Sequence, residues 1–118
     1  MQHRPRIYLA GPYTQGDVVV NVQNAVDTAE DVLMADGLPY VPHLTHLWHL
    51  ISPHEHAYWL ALDLPWLRCC DAVYRLPGVS AGADQEVEEA QRCGIPVFET
   101  WEALSDFIES WFEGQVIA

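Results

Sequence analysis

The segment Arg6-Ile7-Tyr8-Leu9-Ala10 is a short, mostly apolar run stopped at once by Gly11-Pro12. Length and punctuation predict a buried strand. From Asp17 the period changes. Val18, Val22, Ala25, Val26, Ala29, Val32 and Leu33 recur at helical spacing, and Gly37 with Pro39 closes the helix. The alternation then continues: strands are predicted over Leu38–Val41, Asp71–Leu76 and Ile95–Phe98, and a helix follows the Gly78–Gly82 turn and ends at Gly94. Thr100 is expected to cap a last helix with Trp101, Leu104, Phe107, Ile108 and Trp111 on one face. Strand and helix in alternation dictate a parallel sheet with helices on both faces.

Two segments between these elements are less regular. Residues 42–52 hold three His and a Trp among apolar residues and read as a structured loop. Ser52-Pro53-His54-Glu55 has the form of a helix start, with Ser as cap and Pro at the first position. That helix should pass Trp59, Leu60 and Leu64 and be kinked or restarted by Pro65.

Size and charge narrow the function. The 118 residues suit one domain, expected over 1–118, and 50% hydrophobic content excludes a disordered chain. A net charge of −12, with five Arg and no Lys, argues against nucleic acid polymers and anionic membranes as partners. No stretch approaches the roughly 20 apolar residues that span a bilayer. Met1 to Arg6 lead into no apolar signal region, and Cys69, Cys70 and Cys93 lack disulfide or metal-finger spacing. The expected address is the cytoplasm.

In a sheet of this kind ligands bind beyond the carboxyl ends of the strands. Gly11–Gly16 and Pro77–Gly82 lie at that edge, each leading from a strand into a helix. Neither matches a Walker or dinucleotide fingerprint, and glycine serves tight turns for steric reasons too. Glu86 lies one turn into the helix after the second loop, at the border of a stripe made by Ala83, Val87 and Ala90. By pattern it is either a solvated Glu or a group facing the ligand edge. Asp63 interrupts an apolar run and is either a cap for a helix restarted by Pro65 or a site residue. His43, His46 and His49 are spaced by three, which brings imidazoles together only on a helix, so packing and base contacts are preferred to a structural zinc site.

Read in order, IYLAGPYT, DLPWLRCCDAV and PGVSAGADQEVEEA before GIPVF resemble the nucleoside 2-deoxyribosyltransferase-like proteins, which include nucleoside 5′-monophosphate N-glycosidases. The resemblance covers nearly the whole chain. It implies a three-layer α/β/α Rossmann-like (flavodoxin-like) domain with a parallel sheet of four to five strands. It also implies Glu86 as the group acting on the sugar, Asp63 as acid/base for the leaving base, and Tyr8 as the residue that orients Glu86 and keeps it ionised. Such chemistry needs a carboxylate under C1′ for an oxocarbenium-like centre and a second carboxyl to protonate a poor leaving group. It needs no metal and no cofactor, and the pair should hold split pKa values.

Gly11, Pro12, Tyr13, Ser80 and Gly82 are the expected sugar and phosphate side of the site, and His43 and Trp59, with Trp48, the base side. Ser80 stands where the transferases carry an Asp that holds the sugar 5′-hydroxyl, and a Ser there resembles the monophosphate glycosidases. Those glycosidases have a basic residue where this chain has Thr14, which leaves Arg75, Arg68 or a neighbouring subunit to supply charge. The expected activity is therefore hydrolysis of a nucleoside 5′-monophosphate. Base exchange by a 2′-deoxyribosyltransferase, a non-catalytic nucleotide sensor, and cleavage of a larger ribosyl ligand are the alternatives. The partners implied are a small nucleoside or nucleotide and a second copy of the chain, with the last helix as the expected interface.

Overall fold

The structure, a computed structural model, describes residues 3–117. In chain order the elements are β1 (Arg6–Ala10), α1 (Val18–Met34), β2 (Leu38–Tyr40), a 3-10 turn (Pro42–Leu44), α2 (Thr45–Ile51), α3 (His56–Leu67), β3 (Ala72–Arg75), α4 (Ala81–Arg92), β4 (Val97–Phe98) and α5 (Trp101–Ile117). The four strands form one parallel sheet in the order β2-β1-β3-β4. This is the expected three-layer Rossmann-like fold, with the sheet at its four-stranded limit.

Residues 7–10 of β1 are fully buried, and alternate side chains go to opposite layers. Ile7 and Leu9 join Ala25, Ala29 and Val32 of α1 and Leu104 and Ile108 of α5. Tyr8 and Ala10 join Leu67, Cys70, Val73, Ala83 and Ala90 on the side of α3 and α4. The helix after β1 and the helix after β3 thus cover opposite faces. That reversal opens a crevice at the carboxyl ends of these two strands.

The α1 stripe is narrower than its sequence suggests, since Val26 and Leu33 are exposed and only Ala25, Ala29 and Val32 are buried. Asp17 caps its start, accepting from the N–H groups of Val19 and Val20. At its end Asp36, not Gly37, takes the left-handed conformation (φ 69°), while the N–H groups of Asp36 and Gly37 bond back to Leu33 and Val32 carbonyls. Gly37 is required for a different reason. A Cβ there would lie 2.7 Å from Val32 Cγ1.

Three local expectations are corrected. Residues 42–51 are helical, because the 3-10 turn starting at Pro42 runs directly into α2. Ser52 does not start α3; its N–H closes α2 by bonding to the Trp48 carbonyl, and the residue before Pro53 is held out of the helical region. α3 therefore begins at His56, after Glu55, with no side-chain cap. Pro65 does not restart α3, which runs on to Leu67, with Arg68 N–H still bonding to Leu64.

Thr100 caps α5 as expected, accepting from Ala103 N–H. The α5 face expected to meet a second copy is instead largely used inside the fold, since Leu104 and Ile108 pack on the sheet. Exposed apolar side chains lie on α1 and, closely spaced, on the short α2, where Leu47 is 70% and Ile51 85% exposed. No helix among the described residues is long and apolar enough to cross a membrane. Replacing Gly37 by Ala should lower the unfolding free energy by about 1–3 kcal/mol through overpacking against Val32, as read by urea titration.

Candidate active site

The crevice between the carboxyl ends of β1 and β3 holds a cleft of about 420 Å³, within the range of small-molecule sites. Gly11, Tyr13, His43, Trp59, Asp63, Ser80, Gly82 and Glu86 all line it. Of the residues singled out in the sequence, Pro12 faces elsewhere. Its ring blocks the space beside Gly78 (φ 116°), and its carbonyl reaches into the site side, accepting from His43 Nε2 at 3.0 Å. Tyr8 and Trp48 are also absent from the lining; Tyr8 is fully buried beneath it, and Trp48, half exposed, packs edge-on against Trp59.

Both carboxylates are buried, Asp63 at 6% and Glu86 at 7% exposure. Neither bland alternative survives. Glu86 is not at the edge of its helix stripe but within it, between Ala83 and Ala90, whose small side chains leave room for it. Asp63 lies between Trp59 and Leu67 on the buried stripe of an unbroken α3, so it caps nothing. The Tyr8 hydroxyl donates to Glu86 Oε2 in a buried contact. The Tyr40 hydroxyl donates to Asp63 Oδ1 at 3.2 Å. Tyr40 was not legible as a site residue, although Tyr8 and Tyr40 are register partners on neighbouring strands.

Burial dominates the electrostatics. It pushes Glu86 up to about 8 despite the opposing hydrogen bond from Tyr8; the charge of Asp63 adds to the rise and that of Arg75 opposes it. It pushes Asp63 up to about 6 against the Tyr40 hydrogen bond and the charge of His56. Tyr8 is raised by burial and by both carboxylates, so it stays a neutral donor. The pair is split as expected, but Tyr8 alone does not keep Glu86 ionised at neutral pH.

The histidines are tied to separate partners. His43 is buried and its pKa is lowered by that burial. A carbonyl can only accept, so the His43 proton sits on Nε2 facing Pro12, and Nδ1 has no hydrogen-bond partner among the described residues. His46 Nδ1 meets the Tyr13 hydroxyl at 2.5 Å. His49 Nδ1 accepts from the Trp59 indole at 2.9 Å. Among the described residues no three His, Cys, Asp or Glu side chains are grouped as metal ligands. His49, His54 and His56 also line the cleft; His49 stood in the spaced histidine set, whereas His54 and His56, at the expected helix start, carried no site signal in the sequence.

Ser80 caps α4, its Oγ accepting from Ala83 N–H at 3.0 Å. The first N–H groups of α4, at Ala81 and Gly82, have no helical carbonyl to bond and border the cleft. A Cβ on Gly82 would meet His56 Cε1 at 2.8 Å, so the imidazole lies against this helix start. Arg75 is turned to Asp84 and the carbonyls of Leu76 and Gly78, and Arg68 to Glu89. Neither Arg lines the cleft.

A family profile matches residues 5–100, from the lead into β1 to the cap of α5. The chain belongs to the family described as Domain of unknown function (DUF7768). That family's description assigns no activity. No curated protein sequence matches the chain significantly. Among solved structures, a 2-deoxyribosyltransferase from Bacillus psychrosaccharolyticus superposes with a TM-score of 0.59, over 78% of this chain and 69% of that one. At 16% identity the likeness is one of fold, a distant structural relationship to that transferase.

Raised carboxyl pKa values also have a stability consequence. A carboxyl that titrates near 8 when folded and near 4.5 when unfolded takes up a proton on folding between those values, so stability falls as pH rises through that window. Glu86→Gln should remove this loss. Its Tm should exceed that of the parent by about 5 °C or more at pH 8.5, and the gap should close below pH 4.5, as read by calorimetry across pH.

Proposed function

We propose that this cleft hydrolyses the N-glycosidic bond of a nucleoside 5′-monophosphate, releasing free base and sugar phosphate. The observation that carries the reading is the buried Glu86, held by Tyr8 and facing the same cleft as a second buried carboxyl, Asp63. A 2-deoxyribosyltransferase with the same fold supports the nucleoside class.

The roles follow from charge. Ionised Glu86 attacks C1′, the C1′–N bond breaks, and its electrons pass to the departing base, which takes a proton from Asp63. Water then attacks C1′, returns a proton to Asp63 and frees the Glu86 carboxylate. The step needs one proton shared by the two carboxyls, and the pair carries one between about pH 6 and pH 8. In the free protein that proton favours Glu86, so the active arrangement is the minor tautomer of the singly protonated pair. Positive charge growing on the sugar stabilises the Glu86 carboxylate and draws the balance over.

The phosphate reading rests on the start of α4. N–H groups of Ala81 and Gly82, the dipole behind them and the Ser80 hydroxyl suit an anion without an Arg. His43 and Trp59 border the cleft together and suit the base side of the site. The rival reading is base exchange, which differs only in the acceptor of the sugar. A second copy of the chain is proposed to pack on α2, because residues 44–53 contain no Asp, Glu, Lys or Arg and expose Leu47, Trp48, Leu50 and Ile51.

Chromatography of purified protein with deoxynucleoside and ribonucleoside monophosphates should show free base. The kcat/KM profile should be bell-shaped with limbs near 6 and 8: below the first both carboxyls are protonated, above the second neither can supply a proton. Glu86→Ala should cut turnover by about 10³-fold or more while nucleotide still binds. Binding by the parent without base release would leave only a nucleotide sensor, and exchange with an added base without net hydrolysis would make the protein a transferase. Light scattering should give a dimer or larger species, reduced to monomer by Leu47→Glu with Ile51→Glu; a monomeric parent would remove the α2 interface.

A further inference from the structure

We infer that Tyr40 is a positioning residue for Asp63, matching on β2 what Tyr8 does for Glu86 on β1. The inference rests on the reading of the two carboxyls just given and adds a residue to it. Tyr8 and Tyr40 are register partners in the parallel β1–β2 pair. Paired residues on neighbouring parallel strands project from the same face about 4.8 Å apart. The two rings accordingly stack, with centroids 5.4 Å apart and planes 17° from parallel. Trp66 of α3 stacks on the outer side of Tyr40 at 6.3 Å and 20°.

Stacking orients both rings, so their hydroxyls reach the two carboxyls that line the cleft from behind them. One meets Glu86 and the other Asp63. The carboxylates themselves come from two different helices, α4 and α3, each free to settle on the sheet by its own packing. The tyrosine pair refers both to one rigid frame. The Tyr40 ring would be held by Tyr8 and Trp66 without its hydroxyl. The hydroxyl makes its side-chain hydrogen bond to Asp63, which singles out a function for the oxygen beyond packing.

Donation to a carboxylate favours the charged form. Tyr40 therefore opposes the burial that raises Asp63, and Tyr8 opposes the burial that raises Glu86. The other groups acting on Asp63 are His56 from α3 and, through their mutual charge effects, Tyr8 on β1 and Glu86 on α4; Arg75 at the end of β3 acts on Glu86, and Cys70 and Glu86 act on Tyr40. Each tyrosine thus governs one of the two proton steps. Tyr8 acts on the upper step and Tyr40 on the lower.

The test is a carbon-13 carboxyl NMR titration of the full chain, which needs no turnover. Tyr40→Phe keeps the stack and removes the oxygen. It should make the lower-titrating carboxyl a weaker acid by roughly 2- to 10-fold and leave the upper step nearly unmoved. Tyr8→Phe should do the reverse. With Asp63→Asn in place, the effect of Tyr40→Phe on the remaining step should vanish. In activity, Tyr40→Phe should move the acid limb of the pH profile upward by the same factor and lower kcat more than it raises KM. An unmoved lower step, or equal movement of both steps in a folded Tyr40→Phe protein, overturns the inference. Absence of base release by the parent overturns the glycosidase reading instead, and leaves the titration result standing on its own.

Discussion

Two carboxyl groups kept inside an apolar sheet-and-helix sandwich are the constraint around which this structure is arranged. Desolvating a carboxylate is costly unless hydrogen bonds or protonation offset it. Here each carboxyl receives one tyrosine hydroxyl, and burial still holds both pKa values up. The rest of the architecture serves that placement. β1 is buried along four residues and delivers Tyr8 from the centre of the sheet. Ala83 and Ala90 leave space around Glu86 on α4, and an unbroken α3 turns Asp63 inward beside Trp59. The reversal of winding between β1 and β3 opens the crevice into which both groups face.

The fold was largely legible because its signals are strong and repeated. RIYLA before Gly-Pro, the helical stripe after Asp17 and the Gly94 stop each rest on period or punctuation. Residues 42–52 read as loop, because α2 has no buried side chain and therefore no stripe to detect. Ser52-Pro53 misled for a simple reason: a serine before a proline suits the end of one helix as well as the start of another. Glu86 and Asp63 looked ambiguous because propensity treats any helical acid as solvated. The fourfold spacing Trp59, Asp63, Leu67 was the overlooked sign that Asp63 points inward. Tyr40 had no signal in one dimension, since its importance lies in a register between strands that sequence spacing does not encode.

Fold and chemistry stand at different distances from the comparisons. The family profile ties the chain to relatives without a stated activity, and the transferase likeness, at 16% identity, concerns the path of the backbone. Folds of this kind host many reactions, so the argument for a reaction has to come from side chains. Here they are two buried acids, two tyrosines and the start of α4. The absence of an Arg from the lining turns attention to backbone N–H groups and imidazoles as the anion-binding chemistry of this cleft.

The sheet places its two tyrosines in unequal surroundings. Tyr8 belongs to an inner strand, whereas Tyr40 ends a three-residue strand at the sheet edge. Edges fray before centres, and amide exchange registers that order. As temperature rises, the hydroxyl on Asp63 would therefore lose its fixed direction before the one on Glu86 does. Heat tolerance of this cleft would then be set by three residues at the rim, and shortening or stiffening that rim would tune the working temperature without touching the centre of the molecule.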